Sequence, residues 1–165
     1  MRWKSGKRGQ QTLGMPIGMI FSIFLIVVFI VIAFIAIKQF LVIGDAAKIG
    51  DFYQDLQGKV DDFMRSTGEK SFKINLPSDI EKVCFANLNN PITGSAEDYA
   101  QIESYFVYEA NVFLIPPENA GNLQYKLINN IDLENITKNK NPYCVDSKGE
   151  LKISRGFYDR LVLIE

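Results

Sequence analysis

The sequence predicts an α+β fold: a single N-terminal transmembrane helix that continues as an amphipathic helix packed on a small antiparallel β-sheet domain. Three observations lead there. Residues Gly9 to Ile37 run 29 positions without a charged side chain, and from Leu13 to Ile37 the only hydroxyl is Ser22. Beyond this stretch apolar residues return every three or four positions, the period of a one-sided helix. From Ser71 onward short apolar runs are separated by Asn, Pro and Gly, the mark of strands and turns. The chain thus divides into a cytoplasmic basic leader or tail over 1–12, a transmembrane helix over 13–40, an amphipathic extension over 41–68 and an exterior head over 69–165.

The apolar stretch sets the location. At ~1.5 Å per residue, the helix from Leu13 to Ile37 spans roughly 37 Å, more than the ~30 Å hydrocarbon core of a bilayer. A cleaved secretory signal has an apolar region of ~7–15 residues that ends at a small-x-small site. This one is longer and flows directly into Lys38, Gln39, Phe40 and Leu41, so a retained anchor is expected. Arg2, Lys4, Lys7 and Arg8 precede it, against Lys38 and Lys48 close behind, which places the N-terminus in the cytoplasm and the remainder outside. The expected partner of this helix is the lipid bilayer.

Charge excludes one class of partner for the exterior part. Residues 1–44 carry five Lys/Arg and no acid, while 45–165 carry 13 Lys/Arg and 19 Asp/Glu, net +5 and −6 within a chain of net −1. An acidic head has no basic face with which to displace counterions from phosphates, so nucleic acid is not expected as a partner. Solubility accounts for the acidity.

After the anchor, Ile43, Ala46, Ile49, Tyr53, Leu56, Val60 and Phe63 fall on one helical face, and Lys48, Asp51, Asp55, Lys59 and Asp62 on the other. Asp55 with Lys59 and Asp61 with Arg65 are i,i+4 pairs with the acid first, each worth ~0.2–0.5 kcal/mol. One helix is predicted from about Pro16 to Ser66, with Pro16 in its first turn and Gly68 as its stop. Gly44, Gly50 and Gly58 each cost up to about 1 kcal/mol in such a helix, and a break near Gly44 is the competing reading. Gly14, Gly18 and Ser22, at i, i+4 and i+8, form a small-residue face that permits close helix–helix approach, for self-association or for other membrane proteins.

The head follows. Phe72 to Leu76 alternates and meets Pro77, a short strand; Glu81 to Leu88 is a second. Asn89 to Gly94 is a polar loop. Ser95 with Asp98 resembles a capping box and opens a helix from about Ala96 to Tyr108. Val112 to Ile115 is a strand ended by Pro116 and Pro117, and Tyr125 to Ile136 is expected to be extended and irregular. Tyr143–Val145 and Leu151–Ile153 flank Asp146–Gly149 and read as a hairpin, and Leu161 to Ile164 would close the sheet. The loop from Asn87 to Ser95 and the turn from Pro116 to Asn122 are the expected contact surfaces, since polar loops on a rigid head commonly carry recognition. Simple connections are the bland alternative.

Cys84 and Cys144 both lie on the exterior side, and two thiols in one small oxidised domain point to a disulfide. Closing a loop of that length stabilises by roughly 4 kcal/mol in the chain-entropy model. Two separately buried thiols are the alternative, while the absence of C-x-x-C argues against redox or zinc chemistry. Asn135-Ile136-Thr137 is a glycosylation sequon, used only in a host that has the machinery.

No reaction is encoded recognisably. The chain has no histidine, the usual base and the commonest metal ligand. It has no P-loop and no G-x-G-x-x-G, and Asp146 to Glu150 lacks EF-hand spacing. Asp61-Asp62 and Glu97-Asp98 read as solvated helix charges. A non-enzymatic protein without cofactor or metal is expected, Asp/Glu or Ser-Lys chemistry being the routes left to an enzyme.

Lys7-Arg8-Gly9, followed by Gln10-Gln11-Thr12-Leu13 and a hydrophobic helix, resembles the leader of archaeal type IV pilins and archaellins. The resemblance covers about the first 40 residues in motif and the rest only in architecture. It implies cleavage by a prepilin peptidase between Gly9 and Gln10, and a role as a subunit of a surface filament. In that family Glu usually stands at the fifth position after the cut, where this chain has Gly14. The other reading is an uncleaved signal anchor carrying a binding or accessory subunit of a cell-envelope complex.

Overall fold

The computed structural model describes the backbone from Gly14 and the side chains from Ile17 to Glu165. The chain divides between Val42 and Ile43 into two compact units, and the boundary falls inside the first helix, α1 (Gly14–Met64). In the first unit every side chain from Ile17 to Val42 is exposed or nearly so, including Phe21, Phe24, Phe29 and Phe34. An 18-residue window there reaches a mean hydropathy of 3.4 with none of it buried. The helix is therefore long and apolar enough to cross a membrane.

The second unit is α+β, with antiparallel sheets. Its strands are β1 (Gly68–Lys73), β2 (Lys82–Phe85), β3 (Val112–Ile115), β4 (Tyr125–Lys126), β5 (Tyr143–Asp146), β6 (Glu150–Arg155) and β7 (Leu163–Ile164). Its two short helices are α2 (Ala96–Ile102) and α3 (Leu133–Ile136). The strands form two sheets rather than one, in the orders β1-β6-β7 and β4-β3-β2-β5.

The central strands β2 and β3 of the four-stranded sheet are buried on both faces, which explains why Val83–Phe85 and Val112–Ile115 read as unbroken apolar runs. Val83, Phe85, Val112 and Leu114 belong to the larger core cluster. Cys84, Phe113 and Ile115 point into a second cluster with Ala86 and with Ile102 of α2. Ile49, Phe52, Tyr53, Leu56 and Val60 of α1 are buried in the larger cluster too, at the i, i+3, i+4, i+7 spacing of a one-sided helix. The buried stripe starts later than the sequence indicated: Ile43 and Ala46 are exposed, whereas Phe52, absent from the expected face, is buried.

The expected hairpin at Asp146–Gly149 is corrected. The turn is tight, with Gly149 N–H donating to Asp146 O at 2.8 Å, but β5 pairs with β2 and β6 pairs with β1. Ser147 makes the corner. It is buried, its N–H donates to Glu81 O at 2.8 Å and its hydroxyl to Ile80 O, so the chain is tied to the entry of β2 as it crosses between sheets. Ile74 N–H donating to Gly149 O at 3.1 Å then starts the β1–β6 ladder.

Other elements differ in extent: β2 is Lys82–Phe85 within the expected Glu81–Leu88, and β7 is Leu163–Ile164 within the expected Leu161–Ile164. The first head strand lies at Gly68–Lys73 rather than Phe72–Leu76, and Gly68 turns the chain out of α1 with φ +138°, a conformation that favours glycine. Ser95 caps α2 as expected, accepting from Asp98 N–H at 3.2 Å, but the α-helix ends at Ile102 and tightens into a 3₁₀ turn, Glu103–Tyr105. Tyr105-Phe106-Val107-Tyr108 is a run of aromatic and β-branched residues that lose rotamer freedom in a helix, and Tyr105 packs on Phe113 and Tyr125. The stretch from Tyr125 to Ile136 contains β4 and α3. Its middle is held by Asn111, whose side chain donates to Ile128 O and accepts from Ile128 N–H, both at 2.8 Å.

Candidate functional site

Of the face Gly14, Gly18 and Ser22, the last two have described surroundings. An added Cβ at Gly18 would meet nothing within 4 Å, and Ser22 Oγ donates back to Gly18 O at 2.9 Å. The one hydroxyl of the apolar stretch is thus satisfied within the helix, a requirement for any polar group in hydrocarbon. Gly14 lies within α1. Gly9 and Gln10 lie outside the described residues.

Cys84 and Cys144 are directly opposed across β2 and β5, with their sulfurs 2.09 Å apart, at disulfide distance. Cys84 is fully buried beneath α2, so the bridge ties strands rather than offering a reactive thiol. Asn135 is exposed as the third residue of α3, while Thr137 of its sequon is buried and its hydroxyl donates to Leu133 O at 2.7 Å.

The two expected contact loops are well fastened. Asn141, 2% exposed, donates through Nδ2 to Asn87 O, Asn90 O and Pro91 O, and accepts from Asn87 N–H at 3.0 Å. Its carbonyl accepts from Thr93 and Gly94, and Gly94 lies so close that a Cβ there would sit 2.4 Å from Pro142 O. The Pro116 to Asn122 turn contains a 3₁₀ segment, Pro117–Ala120, with both end residues buried and Asn119 donating to Asp79 O at 2.8 Å.

Electrostatics in the head are structural. Asp98, 5% exposed, pairs with Lys82 Nζ at 2.7 Å, and this hydrogen bond holds the lysine pKa above its ordinary value. Burial pushes the Tyr53 phenol far up, and its hydroxyl donates to Leu123 O at 3.1 Å. Lys152 is raised by its bond to Glu69, with Glu165 adding to it. Among the described residues no group of three or more His, Cys, Asp or Glu is arranged to hold a metal.

Two surfaces escaped the sequence reading. One is an aromatic shelf in which Tyr108 stacks on Tyr125 at 4.8 Å and Tyr105 lies 5.2 Å from Tyr125, beside exposed Phe106 and Val107. Burial first, then Tyr108, raises the Tyr125 pKa. The other is the turn between β6 and β7, where Phe157 and Tyr158 are 80% and 91% exposed. Their presence between Gly156 and Asp159 was a readable signal, because turns ordinarily carry polar residues there. Arg155 positions this turn: Nε donates to Asp159 O at 3.0 Å and Nη1 to the carbonyls of Phe63, Met64 and Ser66 at 3.1–3.3 Å. One guanidinium thus satisfies the end of α1, where helix carbonyls lack partners.

No family model, curated protein or solved structure matches the chain.

Proposed function

We propose that this protein is a single-pass membrane-anchored exterior protein with a structural role, a pilin-like subunit of a surface filament. The observation that carries the reading is α1 itself. Its first half exposes apolar side chains all round, and its second half shares a core with β2 and β3. A helix apolar on every side needs hydrocarbon or other helices around it. In a bilayer the lipid supplies that cover; in a filament core, neighbouring copies do, through the close approach that Gly14, Gly18 and Ser22 allow. The second half, whose buried stripe belongs to the larger core cluster, then carries the head outside, with the basic leader in the cytoplasm.

The leader motif at Lys7-Arg8-Gly9-Gln10 supports processing, and the absence of a recognisable reacting constellation supports a non-catalytic role. Gly14, where filament subunits usually carry Glu, favours a second reading: an uncleaved anchor presenting an accessory or binding head in a cell-envelope complex. The mass of the native protein from membranes and from sheared surface material separates the two. A chain beginning at Gln10 is expected for the filament subunit. A chain that retains Arg2 to Gly9 overturns that reading in favour of the second.

A further inference from the structure

The turn at Phe157–Tyr158 holds the two most exposed large apolar side chains of the head, next to each other at one tip. Scattered exposed apolar residues need no explanation, but this pair sits on a turn fixed at both ends. Gly156 N–H donates to Asp159 Oδ2 at 2.8 Å, and Arg155 ties the base to the last carbonyls of α1. The rings meet edge to face at 5.2 Å. A preordered aromatic pair loses little side-chain entropy on contact, and Tyr and Arg are enriched among the residues that dominate binding. Arg160 follows, exposed, while the nearby acid Asp159 is engaged within the turn.

The same head carries a surface of matching chemistry. On the exposed side of α1 an open cleft of about 540 Å³ is bordered by Asp51, Gln54, Gly58, Asp62 and Lys70, and by Asp55 and Lys59, which pair with each other and leave Asp51 and Asp62 as its unengaged acids. Nothing in the chain requires glycine at position 58, since an added Cβ would meet no atom within 4 Å. Yet glycine in a helix interior costs about 1 kcal/mol relative to alanine. The glycine floor leaves room for a ring, Lys70 offers an ammonium to an aromatic face, and Asp51 and Asp62 offer carboxylates to a guanidinium.

We propose that the Phe157–Tyr158–Arg160 tip of one copy seats in the Asp51–Asp62 cleft of a second copy of this chain. The two surfaces lie at different levels along α1: the tip is bonded to its C-terminal end, and the cleft spans about 16 Å of helix before that end. Two copies with parallel helices at one height place tip beside tip, and a stagger on the order of 10–15 Å seats the tip in the cleft. Such a contact is heterologous and, repeated, generates an open-ended array rather than a closed dimer. The proposal rests on the filament reading and names the head contact that accompanies packing of the apolar helices.

Cysteine cross-linking in the full chain tests it. Tyr158→Cys and Gln54→Cys are introduced singly on differently tagged copies, coexpressed, oxidised mildly in cells and examined in membranes and in sheared surface material. The expected result is a linked pair containing one of each tag, no link when either variant is present alone, and a ladder of higher species when one chain carries both. Arg160→Glu should reduce the linked fraction about tenfold and Arg160→Lys should largely retain it. Sheared polymer that contains the chain but no mixed link overturns this contact and leaves the filament reading standing. Absence of polymer and of link overturns both. A Tyr158→Cys adduct to a different protein, or to Tyr158→Cys of another copy, shows another occupant and overturns the proposal.

Discussion

Leu56→Ala gives the sharpest test of how α1 contributes to the head. Leu56 is fully buried in the larger cluster, on the same stripe as Phe52, Tyr53 and Val60. Truncation removes three carbons at about 0.8 kcal/mol per buried CH₂, or ~2.4 kcal/mol of transfer energy, and the residual cavity brings the total to about 3–5 kcal/mol. Asp55, one residue earlier, faces solvent and pairs only with Lys59 across one helical turn. Asp55→Ala should therefore change stability by less than about 0.5 kcal/mol. The assay is urea unfolding of the full chain in detergent micelles, followed by near-ultraviolet circular dichroism of the tyrosines, which all lie in the second unit, beyond Val42. With a slope of about 1.5 kcal/mol per M for a unit of this size, Leu56→Ala should lower the midpoint by about 2–3 M and Asp55→Ala by less than about 0.4 M. Coincident midpoints would falsify the argument, because they would remove the second half of α1 from the cooperative unit.

Three further outcomes are expected. Cys84→Ser and Cys144→Ser should each cost a similar amount, up to about 4 kcal/mol, and the double variant little more than either, since both remove one bond; two free thiols in protein isolated without reductant would sink this. Gly94→Ala should destabilise by about 1–3 kcal/mol, because a Cβ would press on the Pro142 carbonyl at 2.4 Å, whereas Gly58→Ala should be neutral or stabilising; equal effects would show that the Asn141 loop simply shifts aside. Burial raises the Tyr53 pKa, so its contribution is complete below the unfolded value near 10 and is lost as pH rises above that toward the native value. Alkaline titration of stability should therefore fall more steeply in the native chain than in Tyr53→Phe, and parallel curves would remove Tyr53 as the cause.

By itself the sequence determined whatever depends on neighbours along the chain. The uncharged run from Gly9 to Ile37 identified an apolar helix because length and composition alone decide that property. The Ile49, Tyr53, Leu56 and Val60 stripe was legible for the same reason, as were the strand Val112–Ile115 and the Ser95 cap of α2. Tertiary structure alone decided which strands pair. The turn at Asp146–Gly149 has the same local chemistry whether its flanking strands meet each other or part into two sheets. Their separation depends on β5 lying beside β2 and on buried Ser147 bonding to Ile80 and Glu81, some 67 residues away. Phe52 was missed because a helical stripe about 100° wide admits one more residue than a strict three-four count, and only the facing core shows which one is covered. The Phe157–Tyr158 pair was readable as apolar residues in a turn, but its attachment to the end of α1, like the cleft at Gly58, could not be located from spacing. The tip depends on Arg155 reaching back about 90 residues to Phe63 and Met64, and the cleft on β1 bringing Lys70 to the border shared with Asp51 and Asp62 of α1.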